Sequence, residues 1–94
     1  MAQFSLVEDS RRKIHVQVAR QIARKILSGE LKQGEKLPNE MELCEAFGVS
    51  RTALRESTKL LSAKGLIESK PKVGTTVRPR SSWHFLDPQL LNWI

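Results

Sequence analysis

Two predicted helices joined by a single glycine turn constrain this chain more than any other feature of its sequence. The segment before Gly48 has the apolar spacing of a short helix, and glycine permits a sharp turn after it. Asn39 and Glu42 have the spacing of a capping box, which marks the start of this helix. Ser50 has the hydroxyl of an N-cap, so a second helix begins there. The pattern predicts helix, tight turn, helix over about residues 40–59.

The flanking sequence completes a small domain. From Ile14 to Leu27, apolar residues recur at three- and four-residue spacing, which predicts another helix that ends at Gly29. Residues 66–78 have the pattern of two short strands joined by a turn. The predicted fold is mainly α with a small β-hairpin: a winged helix-turn-helix of three helices and a two-stranded wing, occupying residues 14–80.

The two ends of the chain differ from this central domain. Residues 1–13 show no apolar period, and we expect them to form an N-terminal tail. Residues 81–94 are strongly apolar, and Asp87–Pro88 has the pattern of a helix start. Such a segment needs a partner surface, either the wing, a second copy or a following domain. We expect a linker at Ser81–Ser82, then the start of a C-terminal helical effector domain that is absent from this chain.

The charge of the chain is unevenly distributed. The formal net charge is +6, and residues 49–80 hold eight lysines and arginines against two carboxylates. Residues 1–48 hold eight against seven and are almost neutral. A basic segment of this kind is the electrostatic pattern expected of a polyanion-binding protein, although a solvated basic surface would have the same composition.

The second helix of the predicted pair has the side chains that DNA recognition needs. Arg51 and Arg55 are four residues apart on one face, and a guanidinium can hold guanine O6 and N7 through two hydrogen bonds. Each such contact contributes about 1–3 kcal/mol of base discrimination. The hydroxyls of Ser50 and Thr52 suit phosphate oxygens at the helix start. The alternative is that both arginines pair with Glu56 or other acidic residues on the surface.

The remaining candidates extend this surface. The methyl group of Ala53 can contact thymine, and Lys59 lies where it would meet the DNA backbone. Lys72 and Gly74 belong to the hairpin tip, which can approach a phosphate or the minor groove. The predicted DNA-binding residues are Ser50, Arg51, Thr52, Ala53, Arg55, Lys59, Lys72 and Gly74.

Other classes of function find little support in the sequence. Cys44 is the only cysteine, so no intrachain disulfide can form, and we interpret it as a small buried apolar residue. His15 and His84 are far apart and have no companion ligands, so no metal or other cofactor is expected in this chain, and no catalytic motif indicates an enzyme. No signal peptide or membrane span is evident, which favours a cytoplasmic protein without a membrane partner.

Several of these segments, taken together, resemble the GntR family of bacterial transcription regulators over residues 14–80. The tail after Trp83 is similar to the junction that precedes the effector domain in the FadR-type subfamily. The segments that carry the family resemblance are Ile26–Leu31, Gly34–Pro38, Gly48–Glu56, Leu60, Gly65–Ile67 and Gly74–Thr75.

The resemblance implies a dimeric, sequence-specific regulator of a metabolic operon, expected to be a repressor that binds a short palindromic operator. It implies a recognition helix in the major groove, a wing in the minor groove, and release by a small-molecule effector. That effector, often a carboxylate held with help from a metal, would bind the absent C-terminal domain. Met41 departs from the family, since many members have a DNA-contacting arginine there. The alternatives are a winged-helix protein-docking module and a non-specific nucleic-acid binder.

Overall fold

Helix α1, Ile14–Leu27, forms along the first apolar stripe in the computed structural model, which describes Phe4 and residues 13–94. Every apolar side chain on its inner face is almost completely buried. Ser28 caps the helix, and Gly29 follows with a φ of +85°, a left-handed conformation that favours glycine. The buried residues of α1 are Val18, Ala19, Ile22, Ala23 and Ile26.

Helices α2, Glu40–Phe47, and α3, Arg51–Ala63, are joined by the predicted turn. Asn39 Oδ1 accepts a hydrogen bond from the Glu42 amide at 2.9 Å, and Glu42 Oε1 accepts one from the Asn39 amide at 3.1 Å. The predicted capping box is therefore confirmed. Gly48 has a φ of +68°, and Ser50 Oγ accepts from the Ala53 amide at 3.2 Å, which confirms the turn and the N-cap.

The inner face of α3 packs against α1. Leu54, Ser57 and Leu61 are buried at three- and four-residue spacing, as an amphipathic helix requires. The Ser57 hydroxyl donates to the Leu54 carbonyl oxygen at 2.6 Å, so this polar group is satisfied inside the core. Phe47 of α2 is fully buried in the same cluster. This packing fixes which face of α3 remains exposed.

Two antiparallel strands follow, β1, Ile67–Lys70, and β2, Gly74–Val77, with Ile67 opposite Val77. The strands confirm the hairpin predicted over residues 66–78. Residues 34–37 add to the free edge of β2: the Gly34 amide donates to the Val77 carbonyl and the Leu37 amide to the Thr75 carbonyl, both at 2.8 Å. The mainly α fold with a small β-hairpin is confirmed.

The apolar C-terminal segment folds back onto the domain. Ser81–Ser82, where we expected a linker, lies in a short 3₁₀ helix, Arg80–Ser82. Helix α4, Pro88–Trp93, packs against α1, a surface that the sequence did not indicate, and Asp87 caps it as predicted. The side chains that this segment buries are Trp83, Leu90 and Trp93.

A partly buried ion pair joins the end of α3 to this segment. Lys64 is 3% exposed, and its Nζ donates to Asp87 Oδ1 at 2.8 Å. The same ammonium lies 5.3 Å from the ring centroid of Trp93, and the His84 amide donates to the Lys64 carbonyl at 2.9 Å. The Lys64 hydrogen bond, followed by that from the Leu90 amide, lowers the pKa of Asp87 below its ordinary value of 3.8.

Two other sequence expectations concern the N-terminal segment and Cys44. The predicted tail, residues 1–13, lies outside the described residues apart from Phe4 and Lys13. The Phe4 ring packs at 5.2 Å from the ring of Phe47. Cys44, expected to be buried, is half-buried against the core.

We predict that Asp87→Asn lowers the free energy of unfolding by about 1–3 kcal/mol, because it leaves the buried Lys64 ammonium without an anionic partner. Asparagine retains an oxygen that can still cap α4. Since the pKa of Asp87 is lowered by folding, the wild-type advantage is present above pH 3.8 and is lost as the pH falls below it. Urea unfolding across this pH range measures both effects.

Glu68→Gln is the matched control, because its pair with Lys70 spans 3.7 Å between exposed side chains. Such a pair contributes about 0–1 kcal/mol. Equal destabilisation by the two substitutions would contradict a structural role for the Lys64–Asp87 pair.

Candidate nucleic-acid interface

The exposed face of α3 carries the two arginines that the sequence singled out. The side chains of Arg51 and Arg55 are 67% and 64% exposed, while Leu54 and Leu61 on the other face are buried. One helical turn separates the two guanidinium groups, so they project from neighbouring positions on the same face. The structure therefore brings the two predicted base-reading residues together.

A carboxylate from α2 lies between these arginines. Glu40 Oε1 is 3.5 Å from Arg51 Nε, and Glu40 Oε2 is 3.2 Å from Arg55 Nε. The alternative drawn from the sequence was that both arginines pair with Glu56 or other acidic residues. In the structure both arginines contact Glu40, whereas Glu56 lies 4.0 Å from Lys59 Nζ. The sequence did not identify Glu40 in this role, because the contact depends on how α2 crosses α3.

The geometry of this bridge leaves the arginines available for DNA. Both arginines contact Glu40 through Nε, and a guanidinium has two further terminal nitrogens that can donate. Exposed ion pairs of this kind contribute only about 0–1 kcal/mol each. Glu40 therefore orients the two arginines without holding them strongly.

The start of α3 offers further donors. Ser50 Oγ accepts from the Ala53 amide, so its hydroxyl proton can donate to another group. The amides of Arg51 and Thr52 precede the first hydrogen-bonded turn and point toward the helix N-terminus. Thr52 is exposed and Ala53 half-buried. This arrangement of donors suits a phosphate group.

The last candidate on α3 and the two on the hairpin occupy separate positions. Lys59 is 78% exposed. Lys72 lies at the hairpin tip with a φ of +65°, and Gly74 begins β2 with a φ of +110°. A Cβ atom at residue 74 would lie 2.9 Å from Cε of Lys36. Gly74 therefore makes room for the stem of Lys36, a contact that the sequence did not predict.

Two negative findings apply to the described residues. No three or more histidine, cysteine, aspartate or glutamate side chains come together in an arrangement that could hold a metal ion. None of the helices within the described ranges is long and apolar enough to span a bilayer.

Comparison with known proteins agrees with this geometry. The profile of the family described as bacterial regulatory proteins, gntR family, matches residues 14–77. The chain belongs to the GntR family. The match covers all three helices of the helix-turn-helix domain and both strands of the hairpin, and it ends before the C-terminal segment.

Curated relatives and a solved structure extend the comparison. An uncharacterized HTH-type transcriptional regulator, YieP of Escherichia coli, is 53% identical over 81% of this chain and 33% of its own length. The galactonate operon transcriptional repressor of the same organism is 42% identical over 78% of this chain and 32% of its own. The chain thus spans about a third of the length of these relatives. AraR(DBD) in complex with operator ORX1 superimposes with a TM-score of 0.72 at 29% identity, over 82% of this chain and 99% of its own.

We predict that Glu40→Gln reduces the preference for a specific duplex over random DNA by about 3- to 10-fold, the loss expected from one or two weak ion pairs. Without the carboxylate, the arginines can turn toward phosphates. Competition of labelled specific duplex with unlabelled random duplex measures the preference.

Glu56→Gln also removes one negative charge, in this case from α3, where Glu56 contacts Lys59. It should leave the preference for the specific duplex unchanged. A similar change in both variants would show that net charge alone is responsible and that Glu40 does not orient the arginines.

Proposed function

We propose that this chain binds the operator of a bacterial operon as the DNA-binding part of a transcriptional regulator. The observation that carries the proposal is the pair of exposed arginines on α3, held by Glu40 in a GntR-family domain. Helix α3 would enter the major groove, with Arg51 and Arg55 reading bases and Ser50, Thr52 and Lys59 contacting the DNA backbone. The methyl group of Ala53 would contact thymine, and the hairpin tip with Lys72 and Gly74 would enter the adjacent minor groove.

In its finer features, the proposed regulator is a cytoplasmic repressor that binds a palindrome as a homodimer. A small carboxylate, held with a metal in a C-terminal domain as in the FadR-type subfamily, would release it from DNA. The galactonate operon transcriptional repressor among the relatives supports repression. Met41 is 60% exposed beside Glu40, and its side chain cannot donate a hydrogen bond. We therefore propose an operator that differs from the subfamily's commonest sequence.

We predict that binding-site selection from a random duplex library enriches a short palindrome with the wild-type protein. Arg51→Ala should cost about 1–3 kcal/mol on the enriched site and relax the preference at one base pair in each half. Arg20→Ala on the exposed face of α1 is the control for the loss of one positive charge.

Other outcomes would overturn specific parts of the proposal. If Arg51→Ala weakened DNA binding equally on all sequences, Arg51 would be a phosphate contact. Recovery of unselected sequence, with an affinity that collapses as salt rises, would indicate a non-specific nucleic-acid binder. Absence of binding to any duplex would favour a protein-docking module.

A further inference from the structure

A groove of about 530 Å³ separates α3 from the hairpin. We call it the wing groove. Its floor is apolar and includes Leu43, Leu54 and Ile67, whereas its rim is polar. The rim residues that the argument uses are Lys36, Glu40, Thr58, Lys59, Ser69 and Thr75. The groove therefore lies between the two elements proposed to contact DNA.

Lys36 is held firmly at the hairpin side of this groove. Its backbone forms a β-bridge with Thr76, and the next amide, that of Leu37, donates to the Thr75 carbonyl at 2.8 Å. Its side-chain stem lies against the bare Cα of Gly74, where an added Cβ would come within 3.7 Å of the ammonium nitrogen. The lysine is thus supported along its length up to the charged group.

The ammonium of Lys36 has no carboxylate partner among the described residues. The carboxylate on the rim, Glu40, is engaged by Arg51 and Arg55. On the opposite rim, Lys59 is also positive. Its contact with Glu56 is long for an ion pair, at 4.0 Å. The rim is consequently basic at both sides and complementary to an anion.

The geometry of duplex DNA identifies that anion. A single sugar-phosphate strand separates a major groove from the adjacent minor groove, so a domain with α3 in one and the hairpin in the other must straddle that strand. The surface between the two elements is the wing groove. We propose that Lys36 binds a phosphate of this strand and that the groove is the seat of the DNA backbone. The inference rests on the proposed function.

The first test compares the salt dependence of binding of wild-type protein, Lys36→Gln and Lys32→Gln on the selected duplex. Loss of one phosphate contact reduces the slope of log K against log salt by about 0.9 for each protomer bound, which corresponds to about an eight-fold weaker affinity at 0.1 M salt. The loss should be the same on all sequences, because phosphate contacts carry no sequence information. Lys36→Arg should retain the wild-type slope.

Lys32→Gln is the matched control, because Lys32 is exposed and borders a different cleft beside the end of α1 and Trp83. It removes the same charge from the same turn and should leave the slope unchanged. Equal reductions by the two variants would reduce the effect to net charge and overturn the assignment of Lys36.

The second test locates the phosphate. Replacing single phosphates between the two grooves by neutral methylphosphonates should weaken wild-type binding at one position, and that position should have no effect on Lys36→Gln. An unchanged sensitivity of Lys36→Gln would overturn the inference while wild-type selection of a palindrome still supported the proposed function. Failure of the wild-type protein to bind any duplex would instead overturn the proposed function itself.

Discussion

The packing of α3 against α1 is the constraint on which the rest of this structure depends. Leu54, Ser57 and Leu61 bury one face of α3 almost completely, and burial of this kind is the main source of helix stability in a small domain. Because the helix cannot rotate without exposing these side chains, the residues on the opposite side of the helix are fixed on the outer face. The direction of Arg51 and Arg55 is therefore set by the core, before any contact with DNA.

Positive charge is arranged differently on the two sides of the wing groove. At the start of α3, Glu40 holds two arginines together, and this exposed carboxylate partly offsets their repulsion. Across the wing groove, Lys36 has no such partner within the described part of the chain, although it is better supported sterically, by Gly74. An arginine paired with a carboxylate suits selective base contact, because the carboxylate competes with the phosphates of random DNA for the guanidinium group. An unpaired and supported cation suits a phosphate at a fixed place.

Local features of the sequence were sufficient for much of the fold. The capping box at Asn39, the N-cap at Ser50 and the turn at Gly48 each depend on residues within three positions of one another, and the structure has all three. The contact of Glu40 with α3 and that of Lys36 with β2 were not predictable, because they join residues far apart in sequence through packing. The DNA contacts of the candidate residues stay predictions, although their exposure and grouping follow from the amphipathic pattern of α3.

The C-terminal segment shows why an apolar tail need not indicate an unpartnered surface. A Cβ at Gly65, φ +76°, would overlap the backbone carbonyl of Ser82, so the segment approaches the end of α3 as closely as glycine allows. The Lys64–Asp87 pair and the His84 amide join the same two places. Helix α3 is thus fixed at its start by the Ser50 cap and at its end by a segment outside the family match. Any displacement of that segment would have to break the partly buried Lys64–Asp87 pair at the end of the helix that carries the arginines and leave the buried Lys64 ammonium unpaired.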